Sequence, residues 1–473
     1  MAFKELIADQ YHAGEAIGID AGVTEQIIEE QCTQVIDLGE IVIKTDDGGT
    51  RSMHAWRGHS GPEDLMKKGG SRFTNRNPLA DARELPLEMT VKGAIAMLLD
   101  ADNKPVAGGK LVIDADPSSL SHGEKVRTFV GAADRMNKAG ILDHRASVPA
   151  GDIGTNHPDF MDGYALRARE IDPGNKFWQA TITGKSVDNG GLAFRPHATG
   201  FGAYRAAEFA RNQVGMETAD VTISGAGNVG GWTGRFMHTR LENGERPYRI
   251  MGYGDRYSTL SVTNHAPGAP GIHVTEMIAN EILDNPDFGH DPRFAQFKGD
   301  KMLALAVALR QQQPDLEISV TNKASDILKV PSDIFVAASI GGLITENTID
   351  YIAAPIIVEG ANGPTTEAGY RKGLLAGKLF MVDTEANATG VDVSMDETNG
   401  NVAYVKSGTP MPDYQTSQLQ AQVRSDARYA RVEAMREELD TKDRRLAANA
   451  VGMTVMALRT GAAIDPRFAR IVA

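Results

Sequence analysis

The stretch Asp220-Val-Thr-Ile-Ser-Gly225-Ala-Gly227-Asn-Val-Gly230 decides how the fold is read. A short β-branched run passes straight into Gly225-x-Gly227-x-x-Gly230, and a helix is expected to follow over about 231–243. In a strand–turn–helix of this kind the first glycine makes the tight turn. The second lets the backbone approach a pyrophosphate, and the third lets helix and strand pack closely. The N-terminus of the following helix favours phosphate charge. This context assigns Gly225, Gly227, Asn228, Val229 and Gly230 to a dinucleotide cofactor.

Downstream, a second strand, Tyr248-Arg-Ile-Met, ends at Gly252-Tyr-Gly-Asp255. Asp255 lies 25 residues past the third glycine (255 − 230), where an acid can accept from a ribose 2′-hydroxyl and favour NAD. Arg256 beside it leaves NADP open, and Asp255 also suits a plain turn. Further strands are expected at 316–320, 334–338 and 354–358, the last followed by Glu359-Gly-Ala-Asn362. Strands alternating with helices read as a parallel, doubly wound sheet. The domains are drawn as 1–202, 203–380 and a segment 381–473 that returns to the first domain.

Upstream, helix is expected to about residue 30, a strand region over 33–50 and glycine-rich loop over 58–73. A helix is expected over Leu85–Leu99. In Pro105 to Pro117, Lys110 follows a glycine pair and precedes Leu111-Val112-Ile113. Alone, Gly-Gly-Lys is a solvated turn, but the apolar run can bury the base of the lysine, and burial lowers a lysine pKa. Ser121 and Glu124 form a capping-box pattern for a helix to about Ala139. Val148 to Thr155 is turn-rich with one acid, Asp152, and helices are expected over 157–170 and from Ala203 to about Gln213. Residues 415–460 read as helical, with Glu433 to Lys442 on a solvated face.

The chain has 473 residues and a net charge of −13, too long for one core and too acidic for general nucleic-acid or anionic-membrane binding. Its single cysteine, Cys32, permits no internal disulfide, and the 11 histidines show no metal-ligand spacing, so no metal is expected. The N-terminal residues lack the apolar core of a signal peptide, and a cytoplasmic protein is expected.

Several motifs stand in one order: Lys68-Gly-Gly-Ser-Arg-Phe, Met89-Thr-Val-Lys92, Gly108-Gly-Lys110, Pro149-Ala-Gly-Asp152, Thr183-Gly-Lys, Arg195-Pro-His-Ala-Thr199-Gly, the glycine fingerprint, Glu359-Gly-Ala-Asn362-Gly-Pro-Thr and Asn387-Ala-Thr-Gly-Val391-Asp-Val-Ser394. Their sequence resembles the glutamate/leucine/phenylalanine/valine dehydrogenase superfamily, glutamate dehydrogenases most closely.

The resemblance implies a two-domain α/β enzyme. An N-terminal α/β substrate domain, completed by C-terminal helices, faces a Rossmann-like doubly wound domain across a cleft. It implies NAD(P)-dependent oxidative deamination of an L-amino acid, with a homo-oligomer, commonly a hexamer. By the same resemblance Lys110 and Asp152 are catalytic, Lys110 positioning or activating water and Asp152 shuttling a proton to the amino group. Lys92 would hold the α-carboxylate, Lys68 and Ser394 a side-chain carboxylate, and Ala150, Thr199 and Val391 the small pocket wall. Asn362, Ala338 and Thr199 would lie by the cofactor, Thr199 at the nicotinamide carboxamide, with Arg195 and Thr199 on the bridge between domains. Five matches toward the side-chain end of the pocket favour glutamate. Another L-amino acid, or a non-catalytic dinucleotide-binding homologue, are the alternatives.

The chain departs from the family pattern in places. Lys92 and Lys110 stand 18 apart (110 − 92), with 100–104 an inserted turn, and the loop 58–67 is expanded. Thr389 stands where glycine is usual.

Overall fold

The structure is a computed structural model describing residues 3–31, 33–152, 154–238, 246–285, 288–289 and 291–473. Cys32 and the end of the helix expected to reach 243 lie outside the described residues. The chain divides into two compact units. One comprises Leu6–Pro196, Val391–Ala421 and Asn449–Ala473; the other is chiefly His197–Gly390 and Gln422–Ala448. The C-terminal segment is thus shared, with 422–448 in the unit that carries the glycine fingerprint.

The first unit holds a five-stranded sheet of β1 (Gln34–Lys44), β2 (Thr50–His59), β3 (Lys67–Thr74), β4 (Ala107–Asp114) and β5 (Ser147–Ala150). Their order is β1-β2-β4-β3-β5; β3 runs parallel to β4 and β5, and β2 antiparallel to β1 and β4. Leu38, Ile41, Met53, Phe73, Leu111 and Ile113 pack against Phe129, Met136, Phe160 and Tyr164 of two helices, His122–Lys138 and Pro158–Ile171. The first begins with the expected capping box. The Ser121 hydroxyl accepts from the Glu124 N–H, and the Glu124 carboxylate accepts from the Ser121 N–H.

Two expectations fail here for one reason: tertiary partners outweigh local turn propensity. Much of the loop expected over 58–73 is β3, and the Gly-Gly-Lys turn is the interior of β4. Their glycines serve close packing: a Cβ on Gly69 would stand 1.8 Å from the Gly109 carbonyl oxygen of the neighbouring strand, and one on Gly108 1.9 Å from the Pro86 carbonyl oxygen of a helix. The helix expected over Leu85–Leu99 is Pro78–Ile95, opened by a proline in its first turn and followed by Met97 at φ 56°. The insert at 100–104 is a tight turn, closed by Asp100 N–H to Lys104 C=O and bridged at its base by Leu99 and Pro105.

The second unit holds a seven-stranded sheet of β6 (Ala219–Ser224), β7 (Tyr248–Gly254), β8 (Thr259–Val262), β9 (Ile318–Thr321), β10 (Ile334–Ala337), β11 (Ile356–Val358) and β12 (Leu379–Met381). Their order is β12-β11-β10-β6-β7-β8-β9. Strands β12, β11, β10, β6 and β7 are parallel, which makes this half Rossmann-like. Strand β8 pairs antiparallel with both β7 and β9, so the sheet is mixed rather than wholly parallel as expected. The Asp255 turn reverses the chain within a few residues of β7, and such a hairpin can only pair antiparallel.

The helix expected from Ala203 begins at Ala198, and the helical region 415–460 is two helices, Tyr414–Glu438 and Arg444–Thr460, broken at Asp440 with φ 47°. Glu433 is not on a purely solvated face. It accepts from the buried Arg444, which also makes a two-pronged pair with buried Glu385.

Candidate active site

In β3 the alternation of the pleat puts Lys68, Gly70 and Arg72 on one face. Lys110 comes from the neighbouring β4, and Asp152 follows β5, whose Ala150 pairs with Gly70. A Cβ on Gly70 would approach Asp152 Cβ to 2.9 Å, so the glycine leaves room for the acid. Lys110 Nζ donates to Asp152 Oδ2 at 2.6 Å, and Arg72 Nε reaches the same oxygen at 3.3 Å. The Thr155 hydroxyl fixes the acid's backbone, accepting from Asp152 N–H and donating to the Ser71 carbonyl. Burial is the strongest influence on Lys110 and lowers its pKa; the Asp152 charge opposes this and Arg72 adds to it.

Lys68, Lys92 and Lys110 are 4, 2 and 3 % exposed. Lys92 closes the helix Pro78–Ile95 and stands 3.6 Å from Glu88. Lys68 Nζ donates to Thr183 Oγ1 at 2.7 Å, and Thr183 shares a 2.7 Å hydrogen bond with Ser394 Oγ. A cation and two hydroxyls thus form one buried chain. Burial, reinforced by Arg195, Arg57 and Lys185, drives the Lys68 pKa well down, and only Glu397 pulls it back. Ala150 bridges to Thr183, and Val391 packs beside Met66, Ala96, Val106, Val148 and Met395.

Residues that local sequence reading passed over hold this arrangement. Glu397 takes Lys185 Nζ at 2.6 Å, both side chains fully buried, and also accepts the Gly184 N–H at 3.0 Å. This fixes the turn that presents Thr183. The signals were present: Arg72 is two pleats on from Lys68, and Glu397 is one helical turn on from Ser394.

In the other unit the glycine fingerprint has the expected local geometry. Gly225, at φ 116°, would place a Cβ 2.5 Å from the Ala338 carbonyl, and a Cβ on Gly230 would fall 1.9 Å from the Gly225 oxygen. Gly227 caps the helix Asn228–Met237 and faces open space. It is a cradle that a side chain would fill and a phosphate group fits. Val229 lies in the first turn of that helix, and its carbonyl accepts from Thr233 Oγ1. Asn228 Nδ2 and Trp232 Nε1 both donate to Asp284 Oδ2, whose pKa burial raises.

Asp255 makes a turn: Oδ1 accepts from Tyr257 and Ser258 N–H, and Oδ2 from Lys301 N–H. The Arg256 guanidinium lies over the Tyr257 ring. Asn362 Oδ1 accepts from Asn387 Nδ2 at 2.9 Å. Thr199, on the helix Ala198–Gln213, crowds Gly390: a Cβ there would stand 2.3 Å from Thr199 Oγ1. The candidate substrate residues Lys68, Lys92, Lys110, Ala150, Asp152, Val391 and Ser394 therefore share one unit, and Thr199 falls with the cofactor residues.

Comparison with known proteins gives the same picture. Residues 34–164 match the model of the Glu/Leu/Phe/Val dehydrogenase dimerisation domain, and residues 299–460 that of glutamate/leucine/phenylalanine/valine dehydrogenase. The chain is 29 % identical over 388 residues to an NAD-specific glutamate dehydrogenase of Staphylococcus aureus, covering 80 % of each. It is 26 % identical over 461 residues to an NADP-specific glutamate dehydrogenase of Saccharolobus shibatae, covering 95 % of this chain and 94 % of that protein. Among solved structures, the hetero-hexameric glutamate dehydrogenase of Thermus thermophilus shares the fold with a TM-score of 0.75 at 18 % identity, over 98 % of this chain and 97 % of that one. Motif order, local geometry and these matches lead to one conclusion: the chain belongs to the glutamate/leucine/phenylalanine/valine dehydrogenase family.

Proposed function

We infer that the protein catalyses the reversible NAD(P)-dependent oxidative deamination of L-glutamate to 2-oxoglutarate and ammonium. The observation that carries the reaction is the buried Lys110–Asp152 contact at 2.6 Å, with Arg72 on the same carboxylate oxygen. The observation that carries the substrate is the Lys68–Thr183–Ser394 chain, which offers one cation and two hydroxyls to a side-chain carboxylate.

Lys92 holds the α-carboxylate. Asp152 takes a proton from the substrate ammonium, since a neutral amine must form before Cα can lose a hydride. The nicotinamide, when bound, supplies the hydride acceptor. Lys110, its pKa lowered by burial, holds and deprotonates the water that adds to the imine carbon. Asp152 returns a proton to nitrogen, the C–N bond breaks as the new hydroxyl becomes the 2-oxo carbonyl, and the hydroxyl proton leaves with ammonia as ammonium. Asp152 and Lys110 thus split the proton work between a carboxylate that serves the nitrogen and an amine that serves the water.

Gly225, Gly227 and Gly230, with the helix Asn228–Met237, would hold the cofactor pyrophosphate, and Asp255 the adenosine ribose, a placement that favours NAD. Assembly into a homo-oligomer belongs to the same reading; its support is the match of residues 34–164 to a domain described as one of dimerisation. Light scattering after size exclusion measures it.

The test is a spectrophotometric panel of L-amino acids with NAD and with NADP on the wild type and on Lys110→Ala. Glutamate-dependent reduction that disappears in the variant is expected. Full amino-acid-dependent activity in Lys110→Ala would sink the mechanism, and preference for an apolar amino acid would sink the substrate.

A further inference from the structure

Two histidines from different elements converge on one carboxylate away from the site just described. His122 opens the helix His122–Lys138, His157 is the N-cap of the helix Pro158–Ile171, and Asp159 lies in that helix's first turn. His122 Nε2 stands 2.9 Å from Asp159 Oδ2, and His157 Nδ1 stands 3.8 Å from the same oxygen. One ligand atom from each of the three residues lies within 4.8 Å of the others. The imidazoles meet edge to face at 4.6 Å between centroids, and both rest on Phe160.

We propose that His122, His157 and Asp159 form a site for a first-row divalent transition metal, with Zn²⁺ as its natural occupant. Zinc binds imidazole nitrogen and carboxylate oxygen at about 2.0–2.2 Å in a tetrahedron, which sets ligand atoms about 3.3–3.5 Å apart. The distances of 2.9 and 3.8 Å bracket that spacing, so side-chain rotations of a fraction of an ångström complete it. His157 Nδ1 accepts the Asp159 N–H at 3.2 Å as the cap of its helix, so a metal at that nitrogen takes the place of this bond. Two neutral imidazoles and one carboxylate leave a bound divalent ion with a charge of +1, and water fills the fourth position.

The partial positive charge at the starts of the two helices opposes a cation. The site is therefore weaker than a closed four-ligand zinc centre. Its place has a structural consequence. The segment from Ala150 to His157, which carries Asp152, ends at one of the ligands. A metal there ties that end to the helix His122–Lys138. The separation of 35 positions between His122 and His157 (157 − 122) hides the site from any spacing rule.

The test uses the untagged full chain and two probes: Zn²⁺ in competition with a chromophoric chelator, and Co²⁺ read by visible absorption. One ion per chain is expected in the wild type. His122→Ala and His157→Asn, the latter keeping a helix-capping side chain, should each weaken binding by at least about tenfold. His54→Ala serves as a control, because His54 also faces two carboxylates, Asp37 and Glu40, but has no second histidine. It should bind as the wild type does. Zn²⁺ should raise the thermal midpoint of the wild type and not that of His122→Ala. A wild type that takes up no Zn²⁺ at micromolar concentration, unchanged binding in both ligand variants, or loss of binding in His54→Ala overturns the proposal. None of these readouts depends on catalytic activity.

Discussion

Replacing Lys68 with Leu separates what the residue does for the substrate from what it does for the fold. In the free protein this lysine is buried beside Arg195, Arg57 and Lys185, with Glu397 the one acid acting on it. Its bond to the Thr183 hydroxyl, with a charged donor, is worth about 1.5–3 kcal/mol net. Leucine gives up that bond but removes a desolvated ammonium from a crowd of cations, so the thermal midpoint should hold or rise. The pH dependence carries the sign. The folded-state pKa of Lys68 is depressed below 10.5, so the unfolded chain binds more protons between the two values, and wild-type stability rises with pH across that window. Lys68→Leu should flatten the slope.

Activity should move the other way. A substrate side-chain carboxylate left facing leucine loses a buried charge-assisted contact of about 2–5 kcal/mol. At about 1.4 kcal/mol per tenfold, kcat/KM for glutamate falls about 30- to 5,000-fold, while turnover of norvaline or leucine is spared or gained. Steady-state kinetics on both substrates, with calorimetry from pH 7 to 10, reads all three effects. A fall in glutamate kcat/KM of less than about threefold would refute the placement of the side-chain carboxylate. A large loss of thermal stability would refute the account of a lysine strained by its neighbours.

Glu397→Ala leaves Lys185 charged and buried, and should cost about 3–5 kcal/mol in urea unfolding, part of it recovered in a Lys185→Met/Glu397→Leu double variant. A cost under about 1 kcal/mol would show that the pair is not held as described. Gly227→Ala meets open space at an ordinary backbone angle, so it should fold normally yet bind NAD(H) more weakly by fluorescence titration. Gly230→Ala drives a Cβ into the Gly225 carbonyl and should lose about 1–3 kcal/mol of stability; equal stability in the two variants would contradict the turn geometry. Burial, aided by Arg57 and Lys67, lowers the His59 pKa to about 3 from an ordinary 6.5. The unfolded chain therefore takes up the proton first, and stability falls as pH drops from about 6.5 toward 3, by on the order of 4–5 kcal/mol in the limit. His59→Asn should lessen that loss in urea midpoints measured at pH 7 and 4.5; an unchanged slope would argue against a neutral buried imidazole.

The sequence by itself determined the features that depend on neighbouring residues. Asp220 to Gly230 specified strand, turn and helix locally, because only glycine tolerates the positive φ at 225 and the 1.9 Å approach at 230. Ser121 and Glu124 specified a helix start three residues apart. The order of short motifs was enough to place the chain in its family. Tertiary structure decided everything that depends on partners far along the chain. Gly69, Gly70, Gly108 and Gly109 read as loop, yet they lie in strands, where neighbouring strands, the helix Pro78–Ile95 and Asp152 press where a Cβ would stand. Strand β8 runs antiparallel because a four-residue turn anchored by Asp255 leaves no length for a crossover. Glu397 meets Lys185 across 212 residues, and His122 meets His157 across a helix and a strand. Spacing rules see only neighbours. Lys110 showed the difference most plainly: its local sequence suggested a solvated turn, while strand pairing buried it and the return of the chain at Asp152 gave it a partner.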